Sequence, residues 1–269
     1  MTPRFLDKFH IIEVANVPVV SKTSDHKAAT TLPIVTPSLT NLVRLKWRQF
    51  QIETIGGYRF RGQERAFVQD AYNGMDDNTF SAINGAQEWV NWRQIPRALQ
   101  GRIRENAALI VDLGCGPGSS TRILAWYGMP AWRIIGVDFS EDLIGRARHL
   151  ASSGAFRTAA GERLAVEFIA GSVTEPLHDA SGKLLADHSV DYVNSSGVVG
   201  HHLSEDSFEY LAKELKRIVK CGSFVALDSG PHLKGRAICR IMKKFDFVLR
   251  TRVRSVPFDP RPQLVFQKK

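Results

Sequence analysis

The stretch LIVDLGCGPGSST, from Leu109 to Thr121, restricts the fold of this chain more than any other segment. It begins with an apolar run that closes on the acid Asp112, continues with glycine at every second position, and ends in small hydroxyl residues. The apolar run predicts a buried strand, and the hydroxyl residues predict the first turn of a helix. Because glycine tolerates left-handed backbone and close approach, the loop between them predicts a tight turn on which a ligand can rest.

Downstream of residue 107, apolar runs of strand length alternate with helical patterns, which is typical of a parallel sheet with crossover helices. Ser140 and Ser204 stand where helix N-caps are expected. The last two strands are joined by PFDPRP, which is too short for a crossover helix, so they are expected to pair antiparallel. The sequence thus predicts an α/β fold: a seven-stranded, mostly parallel sheet with an antiparallel C-terminal strand, helices on both faces and a helical N-terminal extension. The predicted strands are Leu109–Leu113, Arg133–Asp138, Val166–Ala170, Val190–Asn194, Ser223–Asp228, Phe247–Ser255 and Gln263–Gln267.

The N-terminal part divides into two predicted segments. Residues 1–40 show little periodicity and carry prolines that discourage helix, so an extended or partly disordered arm is expected. Residues 41–104 are expected to form a helical lid, with helices over Arg61–Ala71 and Asn84–Ile103 separated by a turn-rich segment and the second one kinked or ended near Pro96. Aromatic residues cluster in this lid, including Tyr58, Phe60, Phe67, Tyr72, Phe80, Trp89 and Trp92. A lid of this kind could cover the glycine loop and exclude water from it.

A further helix is predicted over Asn41–Ile55, closed by the glycines at 56 and 57. Val43, Trp47 and Phe50 recur on it at helical spacing among basic residues. Such a pattern fits either a helix packed on the main domain or one that lies on a membrane surface, and we favour packing on the main domain.

Composition points to a soluble cytoplasmic protein. No apolar run approaches the roughly 18 residues that a membrane helix needs, and no secretory signal pattern opens the chain. The three cysteines, Cys115, Cys221 and Cys239, have neither disulfide-framework nor metal-ligand spacing, so reduced thiols and no metal site are expected. The net charge of +9 is uneven: residues 231–269 carry 11 basic against 2 acidic side chains, whereas residues 105–230 carry 11 against 16.

Two acids indicate the ligand of the glycine loop. Asp112 lies at the end of the first strand, where it would repel a pyrophosphate but attract an amino group. Asp138 ends the second strand, 20 residues after Gly118, where a carboxylate can accept hydrogen bonds from both hydroxyls of a ribose. An amino-acid end with a positive charge, joined to a ribose, describes S-adenosylmethionine.

With these motifs, residues 105–230 resemble the class I, Rossmann-like, S-adenosylmethionine-dependent methyltransferases. The resemblance implies that residues 105–269 form a methyltransferase domain that binds this cofactor. It places Asp112 near the methionine amino group, Asp138 at the ribose and Phe139 beside the adenine. The other residues that it implies for the cofactor are Gly114, Cys115, Gly116 and Gly118 beneath it, Ser172 and Val173 at the adenine edge, Asn194 and Ser195 at the methionine end, and Tyr72 and Arg93 from the lid.

The chemistry expected from this family is an in-line displacement that needs no metal and no covalent intermediate, with alignment, exclusion of water and, for some acceptors, a base. His201 and His202 follow the fourth strand at the edge of the sheet where ligands bind, and their side chains are suited to removing a proton near neutral pH. We therefore take them as candidate catalytic residues, against the alternative that they cap or pack a helix.

The sequence leaves three functions open. The favoured one is a methyltransferase for a small organic acceptor. The second is a nucleic-acid-binding protein or RNA methyltransferase that uses the basic ends, where Arg250, Arg252 and Arg254 share one strand face; no base-gripping tetrapeptide or RNA-binding module supports it. The third is a nicotinamide-dependent enzyme, since such enzymes also place a glycine loop after their first strand.

Overall fold

A computed structural model describes residues 38–55, 65–103 and 107–269. Almost all of the predicted arm, Gly56, Gly57, Tyr58, Phe60 and the predicted start of the second helix at Arg61 lie outside the described residues. The helices are α1 (Leu39–Ile55), α2 (Arg65–Asn73), α3 (Asp77–Leu99), α4 (Ser119–Trp126), α5 (Glu141–Ser152), α6 (Val199–His202), α7 (Glu205–Ile218) and α8 (Gly235–Lys244). The division of the chain into arm, lid and main domain stays a prediction.

The described strands form one seven-stranded sheet in the order β3-β2-β1-β4-β5-β7-β6. Strands β1 to β5 run parallel to their neighbours, and β7 is antiparallel to both β5 and β6. The predicted fold class is therefore confirmed, including the antiparallel C-terminal strand. The strands are β1 (Leu109–Leu113), β2 (Arg133–Asp138), β3 (Ala165–Ala170), β4 (Val190–Ser195), β5 (Val219–Leu227), β6 (Phe247–Val253) and β7 (Gln263–Lys268).

The core lies on both faces of the sheet. Val111 and Leu113 pack with α7 and α8 on one face, while Ile110 packs with α3, α4 and α5 on the other. Alternate residues of β1 are thus buried in opposite directions, which explains why this strand is apolar throughout apart from Asp112. The register pairs Asp112 with Gly136 of β2 and Asn194 of β4, so the acid stands at the centre of the sheet.

Helix α3 begins earlier than the sequence pattern predicts. Asp76 caps it, accepting hydrogen bonds from the backbone of Asn78 at 2.9 Å and Thr79 at 3.0 Å. The segment interpreted as a turn therefore contains a helix start, because an aspartate that satisfies the first amides stabilises an N-terminus there. The helix also continues past Pro96 to Leu99, so the proline does not end it.

Helix α1 packs on α3, but not through the face that the sequence pattern indicates. Leu45 contacts Gly85 of α3, where a Cβ would lie 2.9 Å from its side chain. Val43, Trp47 and Phe50 face solvent instead, with exposed fractions of 71%, 62% and 57%. The expectation that this apolar stripe packs on the main domain is wrong, because the small residue on α3 receives the opposite face of the helix. Within the described ranges, no helix has the length and apolar character needed to cross a bilayer.

Candidate functional site

The glycine loop turns sharply between β1 and α4. Gly114, Gly116 and Gly118 all have left-handed φ angles, of 68°, 52° and 94°. A Cβ on Gly114 would lie 1.8 Å from Val198 Cγ2, so the loop packs directly against the segment that follows β4. The ring of Phe80 on α3 lies beside Gly116, where a Cβ would be 3.5 Å away. The loop is thus held between the carboxyl end of β4 and the helix predicted to cover it.

Asp112 is fully buried and lies beneath this loop. Its Oδ2 accepts hydrogen bonds from Ser120 at 2.7 Å and Thr121 at 2.6 Å, and its Oδ1 accepts one from Asn194 Nδ2 at 2.8 Å. Burial raises the pKa of Asp112, and the three hydrogen bonds oppose that rise because they favour the ionised form. The carboxylate ties α4 and β4 to the end of β1, and direct contact with a methionine amino group stays a prediction.

Asp138 is placed differently at the end of β2. Its Oδ2 accepts a hydrogen bond from the backbone of Gly116 at 2.9 Å, and its Oδ1 accepts one from the backbone of Ser140 at 3.0 Å. Burial raises the pKa of this carboxyl, while hydrogen bonds from the backbone amides of Ser140, Gly116 and Phe139 lower it. The sequence-predicted ribose ligand is therefore joined to the glycine loop itself.

Aromatic rings pack around Phe139, the residue after Asp138. The ring of Tyr72 meets those of Phe139 and Phe80 edge-on, with both pairs of ring centroids 6.2 Å apart. Gln69 of α2 donates to the carbonyl of Phe139 at 2.9 Å. The N-terminal helices thus supply one wall of the predicted adenine and ribose region, and Tyr72 is part of that wall.

At the predicted adenine edge, Ser172 and Val173 follow β3 and are buried. The hydroxyl of Ser172 pairs with that of Thr174 at 2.8 Å and accepts the Thr174 backbone N–H at 3.1 Å. Ser172 therefore stabilises its own turn, and its contact with an adenine amino group stays a prediction.

Two predicted residues from β4 join a buried polar network. Asn194 Oδ1 accepts a hydrogen bond from Gln263 Nε2 at 2.9 Å, and Asn194 Nδ2 donates to Asp112. Since an ionised Asp112 can only accept, it fixes the orientation of both amides along this chain. The hydroxyl of Ser195 donates to Asp228 Oδ1 at 2.9 Å.

Asp228 fixes the turn that carries the candidate histidines. Its carboxylate accepts backbone hydrogen bonds from Val198 at 3.2 Å, Val199 at 3.1 Å and Gly200 at 2.9 Å. Those amides have no partner within the short helix α6, so the acid satisfies its whole N-terminus. Residues His201 and His202 follow directly, with ring centroids 6.4 Å apart.

The two histidines differ in their surroundings. Burial lowers the pKa of His201, and the charges of Arg261, Lys46 and His232 lower it further, against the opposing effect of Asp228. Burial also lowers the pKa of His202, to about 4, and the neighbouring His201 lowers it further. Both imidazoles are therefore neutral at neutral pH, and the half-buried His201 is the candidate base that we favour.

The surroundings of two other predicted site residues, Cys115 and Arg93, limit what each can do. Cys115 is a buried free thiol whose pKa is raised well above its usual value by burial and by Asp138, which opposes thiolate reactivity. Arg93 donates to the carbonyl of Ser255 at 2.6 Å and stacks over Trp89, 4.8 Å from the ring centroid. Its guanidinium faces the β6–β7 loop, so a contact with the methionine carboxylate stays a prediction that this packing does not favour.

Sequence reasoning missed several residues of this network: Ser120, Thr121, Asp228 and Gln263. Asp228, which follows β5, could have been found from the sequence, because acids at the carboxyl ends of parallel strands meet at one edge of the sheet. No local pattern marks Gln263, whose partner Asn194 is 69 positions away.

Comparison with known proteins identifies the domain that holds this site. The family profile described as "Methyltransferase domain" matches residues 110–222. A trans-aconitate 2-methyltransferase of Azoarcus sp. (strain BH72) is 48% identical over 46 residues, which are 16% of this chain and 17% of that protein. One of Afipia carboxidovorans is 46% identical over 57 residues, or 20% of this chain and 18% of that protein. The chain therefore matches less than a fifth of the length of these curated relatives.

Solved structures share the fold at low sequence identity. The pyocyanin biosynthetic protein PhzM superposes with a TM-score of 0.58 at 18% identity, covering 88% of this chain and 75% of that one. A putative S-adenosylmethionine-dependent methyltransferase from Listeria monocytogenes gives 0.50 at 12% identity, covering 69% of this chain and 99% of that one. Residues 110–222 are thus a methyltransferase domain, and the described residues have the fold of the class I, Rossmann-like methyltransferases, a class whose cofactor is S-adenosylmethionine.

Proposed function

We propose that this protein transfers the methyl group of S-adenosylmethionine to a small organic acceptor. The observation that carries the proposal is the direct contact between the glycine loop and the His201 turn, through Val198 against Gly114. Because this contact joins the predicted cofactor loop to a candidate base, cofactor and acceptor can meet at one edge of the sheet.

The residues around the loop fit the cofactor. Each oxygen of Asp138 accepts one backbone N–H, which leaves lone pairs on both oxygens for the two hydroxyls of a ribose. The Tyr72 and Phe139 rings provide an apolar wall next to that carboxylate. Asp112 adds a negative charge beneath the loop, which favours the positive end of the ligand even without contact.

The bound cofactor supplies a methyl group on a positively charged sulfur. The acceptor atom would form its bond to that carbon in place of the carbon–sulfur bond, whose electron pair would stay on the sulfur. For a hydroxyl or amine acceptor, one proton must also leave, and His201 takes it on its neutral imidazole. Asp228 acts one step away: it fixes the turn and so positions His201.

A small acceptor has more support than a nucleic acid. The curated relatives are named for trans-aconitate, a small organic molecule. The exposed arginines of the alternative, Arg250 and Arg252, lie on edge strand β6, four positions from β1 in the sheet. With neighbouring strands about 4.8 Å apart, this is about 19 Å from the glycine loop.

Transfer of a labelled methyl group tests the proposal. The protein is incubated with methyl-labelled S-adenosylmethionine and a metabolite extract, with and without an added RNA fraction. We expect label in the small-molecule fraction, unchanged by RNA, and strongly reduced by His201→Ala but not by the exposed-surface control His149→Ala. Label that appears only in RNA, or no label in any fraction, would contradict the proposal.

A further inference from the structure

The turn that carries His201 is joined rigidly to the segment after β5. The carbonyl of Gly200 accepts hydrogen bonds from the backbone of both His232 and Leu233 at 3.1 Å. Gly200 and Gly230 touch so closely that a Cβ on Gly230 would lie 2.2 Å from the Gly200 carbonyl oxygen. His232, which is exposed, is therefore held next to the His201 turn.

The end of the β6–β7 loop is fixed to the same edge of the sheet. Ser229 donates to the carbonyl of Pro262 at 2.8 Å, and Gln263 donates to the carbonyl of Ser195 at 3.3 Å. Arg261 directly precedes these two anchored residues, and its side chain is exposed. The backbone of Arg261 is thus held beside the carboxyl ends of β4 and β5.

Helix α1 brings a third basic side chain to this edge. Leu45 packs on Gly85 of α3, and Gln87 of the same helix lies against Gly197, where a Cβ would be 3.6 Å away. Lys46 follows Leu45 and is exposed. Burial lowers the pKa of His201, Asp228 opposes this, and Arg261, Lys46 and His232 lower it further, in agreement with their placement near this ring.

Two acidic side chains near the His201 turn, Asp228 and Asp259, already accept hydrogen bonds from other parts of the protein. Asp228 accepts hydrogen bonds from three backbone amides and from Ser195. Asp259 accepts from Gln94, from Ser255 and from the backbone of Arg261. Both carboxylates keep their negative charge, but they already accept these internal hydrogen bonds, whereas Lys46 and Arg261 are exposed basic side chains that attract the carboxylate of an anion.

We propose that the acceptor is a small organic anion whose carboxylate binds between Lys46, Arg261 and His232, beside His201. The inference rests on the proposed function and adds the chemical class of its substrate. An arginine gives a carboxylate two parallel hydrogen bonds, and the lysine adds a point charge. The bound carboxylate fixes the acceptor, while the transfer step stays as described above.

Depleting the extract of anions tests this inference. A metabolite extract is passed over an anion exchanger, and a second portion over a cation exchanger as the matched control. We expect methyl incorporation to disappear only after anion exchange and to return when the eluate is added back, including eluate treated with phosphatase. Full incorporation in the anion-depleted extract, or loss of the effect after phosphatase, would overturn the proposal of a carboxylate acceptor.

Variants test the same inference at the site. Titrating the eluate, we expect the double variant Lys46→Gln/Arg261→Gln to need about tenfold more of it for half-maximal rate, as for the loss of one charged contact. The charge-keeping pair Lys46→Arg/Arg261→Lys should recover most of this loss, and Lys243→Gln on α8 should match wild type. A double variant indistinguishable from wild type would overturn the inference. Binding of S-adenosylhomocysteine, measured separately by calorimetry, should be unchanged; if wild type does not bind it, the proposed function itself fails.

Discussion

At the scale of single residues, two aspartates of one sheet have different roles because their hydrogen-bond partners differ. Asp112 accepts from three side chains and has no exposed surface. Asp138 accepts from backbone amides, including those of Gly116 and Ser140, and keeps a small exposed fraction of 5%. The first therefore stabilises the fold beneath the loop, whereas the second keeps lone pairs for the ribose contact that we propose.

Asp112→Ala should reduce stability strongly, because it leaves the hydroxyls of Ser120 and Thr121 and the amide of Asn194 buried without their acceptor. Unsatisfied buried donors cost about 1–3 kcal/mol each, and we expect a loss of about 2–4 kcal/mol in the free energy of unfolding after partial relaxation. Urea denaturation measures this loss. Asp142→Ala, on the exposed first turn of α5, is the control, and equal stability of the two variants would contradict the role given to Asp112.

The rate of methyl transfer to a hydroxyl or amine acceptor should depend on pH through His201. Its pKa lies below the usual 6.5, so the ring is neutral and able to take a proton above that value. The rate should therefore fall only as the pH drops below about 6.5, when the imidazole becomes protonated. His201→Gln should be slow and lack this acid limb, while His149→Gln keeps it. An identical acid limb in His201→Gln would rule out His201 as the base.

At the scale of elements, the β1–α4 turn depends on one close contact. Gly114→Ala would place a Cβ 1.8 Å from Val198 in a left-handed backbone conformation. Overpacking and left-handed strain together should lower the free energy of unfolding by about 2–4 kcal/mol. Gly145→Ala, where nothing lies within 4 Å, should instead raise it by about 0.5–1 kcal/mol, because alanine favours helix. Thermal denaturation compares the two, and a Gly114→Ala protein as stable as wild type would refute this packing.

The elements themselves were largely predictable from the sequence, for physical reasons. Strands β1 and β2 have the predicted bounds because both faces are buried and the apolar runs are continuous. Ser140 and Ser204 cap their helices as predicted. The start of α3 was not predictable, because the local sequence does not decide whether Asp76 caps a helix or stabilises a turn. The outward orientation of Val43, Trp47 and Phe50 on α1 was not predictable either, because it depends on where Gly85 lies in another helix.

At the scale of the whole molecule, the site is built from contacts between distant parts of the chain. Asn194 joins Asp112 across 82 positions, and Asp228 reaches the amides of α6 across about 30 positions. Sequence patterns place each residue on its strand end, and parallel strands bring those ends together. The positions of Asp112, Asp138 and Asn194 near strand ends were therefore predictable, whereas the proposed cluster of Lys46, His232 and Arg261 beside His201 was not, because these residues come from three separate segments.

We propose that the glycine loop and Asp138 bind S-adenosylmethionine. Isothermal titration of the wild-type protein and of Asp138→Asn tests it most directly, with Asp142→Asn as the matched control. We expect one cofactor per chain for wild type and for the control, and binding weakened by about 10–100-fold for Asp138→Asn, which corresponds to about 1.4–2.8 kcal/mol. A wild-type protein that does not bind S-adenosylmethionine, or an Asp138→Asn protein that binds it as tightly as wild type, would contradict the account.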